Sequence, residues 1–315
     1  ERDQAPARRL DLRPRDGVGR SQLAARRHGR MTGTGLHAAA RDNRSGALAG
    51  FAGVRDRAAA WLGVDAGSVG LAPVAHEALM TGYFEPELPA SLVETPEFPV
   101  PIYAFPENAS HPMPPRAAMR ESGAFSGQEL VWLADPVDAF FLQVQGSGRL
   151  RLPDGTTRRV GYAGGNGHPY VSIGKQLIEQ EIFTEASITG DALADWLRAR
   201  PDGGQSILDR NPSYVFFRFR DDLDPTDGPV GTLGVPLTPG VSVAVDPDVV
   251  PLSSVLWVTD PGSDGRLCRA QDTGSAIKGP GRLDLFCGTG DEAGLRAGRM
   301  KDRVSVWRVT AEGAG

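Results

Sequence analysis

At 315 residues the chain is about twice the common domain size, which predicts two domains or one domain carrying a large insertion. Gly 40 and Pro 25 make about a fifth of the residues, and 40% hydrophobic content suits a globular chain of many turns and short elements. A formal net charge of −5 argues against a whole-molecule nucleic-acid binder and leaves acidic, neutral or sugar-like partners.

The charge is uneven along the chain. Residues 1–60 hold 13 Arg, no Lys and six acidic residues, +7, against −12 for the remaining 255. No aromatic precedes Phe51, so this stretch reads as a poorly ordered extension rather than a basic arm for RNA or an anionic surface. No window approaches the 18 or more apolar residues of a membrane span, and no apolar export segment follows the N-terminal basic residues. An export signal is therefore expected only outside this sequence. Cys268 and Cys287 are the only cysteines, which excludes a disulfide framework and a four-cysteine zinc site; both read as buried small residues. The histidines, at 28, 37, 76, 111 and 168, show no HxH or HxxxH spacing, and neither metal nor cofactor is expected.

In chain order, residues 54–62 predict a short helix, and Met80-Thr81-Gly82-Tyr83-Phe84-Glu85-Pro86 reads as a strand running into a turn. The Pro-rich stretch from Pro96 to Pro115 reads as a crossing between structural units. Residues 138–160 predict a hairpin, because Phe140, Leu142 and Val144 alternate with Phe141, Gln143 and Gln145 before the turn Pro153-Asp154-Gly155. That reading puts both Gln side chains on one face. Helices are predicted over 171–182 and 191–200, the second with Asp in its first turn and Arg198 and Arg200 in its last. After 214–219, short β-runs at 241–245, 255–258, 267–270, 283–286 and 304–309 suggest a small barrel.

The most informative stretch is Gln271-Asp272-Thr273-Gly274-Ser275-Ala276-Ile277-Lys278-Gly279, with Asp284 twelve residues after Asp272 inside Leu283-Asp284-Leu285-Phe286. A carboxyl flanked by Leu and Phe on a strand is costly unless partnered or protonated. Raised by about two units, it would hold a proton at mildly acidic pH, as a general acid for glycosidic cleavage requires. The competing reading has Asp284 pointing outward on an alternating strand. The Asp-Thr-Gly-Ser string invites comparison with aspartic peptidases, but no second Asp-Thr/Ser-Gly is present and Arg269-Ala270-Gln271 replaces the usual apolar lead. Gly288-Thr289-Gly290 with Gly294 has GxGxxxG spacing with Asp291 and Glu292 in the turn, which reads as helix entry rather than a phosphate loop.

These motifs, taken together and in order, resemble the membrane-bound lytic murein transglycosylase A family with its C-terminal 3D domain, named for three aspartates. The resemblance runs from about Thr81 to about Val309. It is carried by Thr81-Gly82-Tyr83-Phe84-Glu85-Pro86, Asp135-Pro136-Val137-Asp138-Ala139-Phe140-Phe141, Gln145-Gly146-Ser147-Gly148-Arg149-Leu150, Gly164-Gly165-Asn166-Gly167-His168-Pro169-Tyr170, Asn211-Pro212-Ser213-Tyr214-Val215-Phe216-Phe217, Ala244-Val245-Asp246 and the block from Asp272 to Asp284. It implies a mainly β fold: a double-psi β-barrel catalytic domain from residues 71–97 plus 228–311, and a second, barrel-like β-rich domain with short helices inserted at 98–227. The substrate groove would lie between them. Residues 1–70 do not resemble the family's usual N-terminal segment, and its lipid-bearing cysteine is not found in them.

The resemblance implies cleavage of the β-1,4 bond between N-acetylmuramic acid and N-acetylglucosamine in peptidoglycan, without water, leaving 1,6-anhydromuramyl ends. Asp284 matches the catalytic acid, Asp272 its close partner, and Asp246 a structural aspartate bonding backbone amides at a barrel turn. Tyr83, Glu85, Gln145, Ser147, Asn166, Tyr170 and Lys278 are candidate sugar-binding residues, since saccharides need flat apolar faces beside paired polar groups. Expected partners are peptidoglycan glycan strands and cell-wall enzyme complexes, with no nucleic acid, in the periplasm or at the outer membrane. The alternative is a non-catalytic peptidoglycan-binding module, with aspartic proteolysis more distant.

Overall fold

The computed structural model describes residues 47, 49–108, 110–260 and 265–311. Its strands run β1 (Val69–Glu85), β2 (Glu87–Ser91), β3 (Val100–Tyr103), β4 (Glu129–Leu133), β5 (Ser147–Arg151), β6 (Thr157–Gly165) and β7 (Val215–Phe219). They continue as β8 (Ser242–Ala244), β9 (Val255–Thr259), β10 (Arg266–Asp272), β11 (Arg282–Thr289) and β12 (Lys301–Ala311). Strands β1, β11, β8, β10, β9 and β12 close in that order into a barrel, and β3-β4-β2-β5-β6-β7 form a separate six-stranded sheet. The short β-runs of the last third thus do form a barrel, completed by β1 from far upstream.

Alternation along the barrel strands divides their residues into two sets. Ala78, Met80, Val243, Val245, Cys268, Ala270, Leu283, Leu285, Val304 and Val306 pack together as the interior. Thr81, Tyr83 and Glu85 on β1, Asp284 on β11 and Ala244 on β8 therefore lie on the outer face. The helix Asp291–Arg299, entered through Gly290, extends the interior core with Ala293 and Ala297 against Phe84 and Cys287. Its approach requires Gly82: a Cβ there would lie 2.8 Å from both Ala297 Cα and Cys287 Sγ. Cys268 and Cys287 are both buried and free.

The N-terminal part of the described chain is built into the barrel. Ala47, Phe51, Ala58 and Ala59 pack against Trp257, Leu267 and Trp307, and Trp257 Nε1–H donates to Ala47 O at 3.1 Å. The helix predicted at 54–62 is found at Arg55–Leu62, where it covers apolar strand residues and buries Ala58 and Ala59, so the poorly ordered extension expected over 1–60 does not include the residues from Phe51 on. The Arg-rich residues 1–46 lie outside the described residues.

Two further expectations change. Only Pro86 separates β1 from β2, and β2 already belongs to the second sheet, so the crossing between units falls at Pro86 rather than in the Pro-rich stretch from Pro96 to Pro115 or at the expected 97/98 boundary. The second change concerns residues 138–145, which are helix rather than strand. Asp135 accepts from the N–H groups of Val137 (2.8 Å) and Asp138 (2.9 Å), Pro136 opens the helix Pro136–Gln145, and Gly146 ends it at φ 77°. The hairpin is instead β5 with β6. Helical geometry separates Gln143, which accepts from buried Arg116, from Gln145, which accepts from the Phe84 N–H. The helices expected at 171–182 and 191–200 are found as Ile173–Glu179 and Gly190–Arg198.

Candidate active site

The strand register assembles one row of side chains across four barrel strands. Asp284 on β11 lies opposite Thr81 on β1 and Ala244 on β8, and Ala244 lies opposite Asp272 on β10. Simple alternation after Cys268 and Ala270 would turn Asp272 into the barrel. A bulge between Ala270 and Asp272 inserts one residue and returns Asp272 to the outer face beside Ala244. The two carboxylates thus flank a single small residue.

Their surroundings differ in a way that assigns them different work. Asp272 accepts three hydrogen bonds: from the Tyr83 hydroxyl at 2.8 Å, and from the N–H and O–H of Thr232, each at 2.9 Å. Both oxygens of Asp272 are thereby fixed in place. Asp284 accepts one side-chain bond, from Thr81. Burial is the largest influence on it and, aided by the charge of Asp272, pushes its pKa up to about 6 against the opposing effects of Thr81 and Arg282. A carboxyl kept protonated into mild acidity is what a general acid requires. Tyr83, packed at 5.5 Å between ring centroids against Phe286, is raised well above its ordinary pKa by burial and by Asp272, so it remains a hydroxyl donor.

Asp284 resolves the two sequence readings together. It does point away from the barrel interior, yet it is desolvated.

Asp246 holds the loop that joins the two carboxylate strands. Its Oδ2 accepts from the Gly279 N–H at 2.7 Å and its Oδ1 from the Asp248 N–H at 3.3 Å, and the Gly279 bond is the largest cause of its lowered pKa. Lys278 is exposed, with Nζ 3.5 Å from Asp246 Oδ1.

The candidate sugar-binding residues separate into two groups. Tyr83 and Gln145 lie beside the row: Gln145 Oε1 is tied to the Phe84 N–H at 3.1 Å. Ser147 is buried at the start of β5, and Tyr170 packs, partly buried, against the cluster of Phe140, Ile173 and Leu177. Glu85 and Asn166 are corrections, because neither has a free polar atom to offer a sugar. Asn166 is fully buried; its Nδ2 donates to Pro114 O and Pro212 O while its Oδ1 accepts from the N–H groups of Tyr214 and His168. Glu85, 1% exposed, is bound by Arg149 at 2.9 Å, Arg159 at 3.0 Å and the Thr289 hydroxyl at 2.9 Å.

That cluster also locates the row. Thr81, Tyr83 and Glu85 share the outer face of β1, and Glu85 is clamped by β5 and β6 of the second sheet, so the carboxylate pair lies on the barrel face that runs into the junction. Sequence reasoning missed Thr232 and Arg282 and left Thr81 without a role. Thr81 sits in a quoted motif and had a signal, whereas Thr232 reaches Asp272 from 40 positions away on a Gly-rich turn with no periodicity to mark it.

Comparison with known proteins agrees with this architecture. Residues 79–218 match the model of the MltA specific insert domain, and residues 241–310 match that of the 3D domain. Membrane-bound lytic murein transglycosylase A of Vibrio cholerae is 34% identical over 268 residues, covering 80% of this chain and 71% of that protein. The crystal structure of E. coli MltA with bound chitohexaose superposes with a TM-score of 0.70 at 29% identity, over 78% of this chain and 76% of that one. The lytic transglycosylase LtgG of Burkholderia pseudomallei is 45% identical, with a TM-score of 0.54 over 78% and 73%.

Proposed function

The chain belongs to the membrane-bound lytic murein transglycosylase A family, and on that premise we propose that the Asp284 row performs the family's reaction on peptidoglycan. The enzyme is a lytic murein transglycosylase: it cuts the β-1,4 bond between N-acetylmuramic acid and N-acetylglucosamine and forms a 1,6-anhydro end. The observation that carries the role of Asp284 is the contrast between a desolvated carboxyl with a pKa of about 6 and a neighbour saturated with donors.

The chemistry follows from that contrast. Protonated Asp284 gives its proton to the glycosidic oxygen as the C1–O bond breaks, and the N-acetylglucosamine side leaves as an alcohol. The C6 hydroxyl of the same muramic acid then bonds to C1 and passes its proton to the Asp284 carboxylate, which restores the acid. No water is consumed, and a hydrolase's second carboxylate at water-handling distance is unnecessary. Intramolecular attack supplies the nucleophile at high effective concentration. The neighbouring Asp272 raises the proton affinity of Asp284.

The parallel pairs β1 with β11 and β8 with β10 within a closed six-stranded barrel support a double-psi arrangement. The division we propose is a barrel catalytic domain and an inserted sheet, with glycan lying along the face that Thr81, Tyr83 and Glu85 share. The chitohexaose held by the E. coli relative supports glycan as the ligand. No helix among the described residues is long and apolar enough to cross a membrane; we place the activity in the periplasm, where the substrate is, as the relatives' description as membrane-bound supports.

The pH dependence tests the acid. Release of soluble muropeptides from sacculi is expected to plateau in mild acid and to fall as pH rises through about 6, because turnover needs Asp284 protonated. A rate that stays flat to pH 8 would place the acid elsewhere.

A further inference from the structure

Arg282 and Thr81 form a hydrogen-bond chain with a fixed direction. Arg282 Nη1 lies 2.9 Å from Thr81 Oγ1, and Thr81 Oγ1 lies within hydrogen-bond distance of Asp284 Oδ1. A guanidinium only donates, so Thr81 Oγ1 must accept from Arg282, and its single proton is left for Asp284. The same Nη1, with two N–H groups, is also 3.3 Å from Leu79 O and 3.1 Å from Leu283 O, so its donation is shared among three acceptors, of which Thr81 Oγ1 is the nearest. We propose that Arg282 is a positioning residue which, by polarising Thr81, makes Asp284 Oδ1 an obligatory acceptor and so confines the acid proton to Oδ2.

The reasoning turns on what Thr81 does without Arg282. A free threonine hydroxyl accepts as readily as it donates. Protonated Asp284 would then place its proton in a bond to Thr81, held away from the glycosidic oxygen. With Arg282 present, Oδ1 is occupied by a donor and the transferable proton has one seat. The device rests on the reading of Asp284 as the acid, and it extends that reading to Thr81 and Arg282, on two neighbouring strands. The titratable and charged groups around Asp284 are Arg282 and Cys287 on its own strand, Tyr83 on β1 and Asp272 on β10; β8 contributes only Ala244. Arg282 is the cation among them, and it opposes both burial and Asp272.

The experiment compares the full chain with R282M, T81V, T81S and the double variant R282M/T81V, using sacculi as substrate and melting temperature to check folding. R282M is expected to lower kcat about tenfold with KM unchanged and to move the alkaline limb up by about one pH unit, since an opposite charge has been removed. The double variant should turn over no more slowly than T81V alone, because a valine side chain offers no acceptor to trap the proton. Losses that multiply in the double variant would mean that Arg282 acts independently of Thr81, and would overturn the proposal. Carbon-13 titration of the Asp284 carboxyl, assigned with D284N, needs no turnover. There R282M and T81V should both raise the midpoint, and T81S should return it toward the parent. An unmoved midpoint in T81V overturns the relay even if R282M fails to fold, whereas shifted midpoints in a chain that releases no anhydro product would uphold the relay and reject the functional reading.

Discussion

Asp284→Asn is expected to lower turnover of peptidoglycan by about 10³-fold while leaving glycan binding intact, since a positioned general acid contributes about 10² to 10⁴. The same variant should be more stable than the parent at neutral pH. The native state keeps the Asp284 proton up to about pH 6, whereas an unfolded aspartate loses it near 4, so stability falls as pH rises between those values. Removing the charge recovers that loss, about 3 kcal/mol well above pH 6 and nothing below pH 4. Thermal melts at pH 4 and pH 7 beside muropeptide release measure both effects. An inactive variant that melts lower than the parent at pH 7 would point to damage rather than to the loss of an acid, and substantial residual turnover would remove Asp284 from the role.

Glu85→Gln is expected to be the most destabilising single change outside the core. Glu85 receives two guanidinium groups and a hydroxyl in a site where it is 1% exposed and Arg159 is 8% exposed. The two arginines also hold the returning chain, Arg149 through Asp227 O at 3.1 Å and Arg159 through Asp224 O at 3.2 Å. Neutralising the acid leaves two cations sharing a buried site, and breaking buried pairs in this way costs about 3 to 5 kcal/mol. For a chain of this size that corresponds to a fall in Tm of about 10 °C. Because the cluster is buried, added salt should change the difference little. A Tm within about 2 °C of the parent would show that solvent already screens the cluster. Activity should fall with stability, since this cluster joins the barrel face bearing Asp284 to the second sheet.

Much of this architecture was legible in the residues. Alternating Val, Leu and Phe at turn-separated intervals marked the late barrel strands, and the Asp272 to Asp284 block marked the two carboxylates that the register sets on either side of Ala244. The run from Pro136 to Gln145 was misread because its apolar residues alternate over a stretch too short to separate two periods; the capping pair Asp135-Pro136 was the better signal. Glu85 and Asn166 looked like sugar ligands because polar residues in Gly-rich motifs suit that role. Their partners lie 64 and 74 positions away for Glu85 and 46 and 52 for Asn166, and only folding reveals that each is already saturated. The bulge that re-aims Asp272 is likewise invisible in one strand, because it exists only against the register of its neighbour.

The proposed reactive centre then depends on differences in environment rather than on residue type. Asp272 and Asp284 are chemically identical side chains on one face; the first is held by three donors, while burial raises the pKa of the second.

The most direct test is the chemistry of the new chain ends. Sacculi digested by the purified protein in oxygen-18 water should yield muropeptides ending in 1,6-anhydro-N-acetylmuramic acid, which resist borohydride reduction, weigh one water less than the hydrolysed form and carry no heavy oxygen. Reducing muramic acid ends that carry the label would contradict the account, because they would show that water, rather than the C6 hydroxyl, attacks C1 of the cleaved bond.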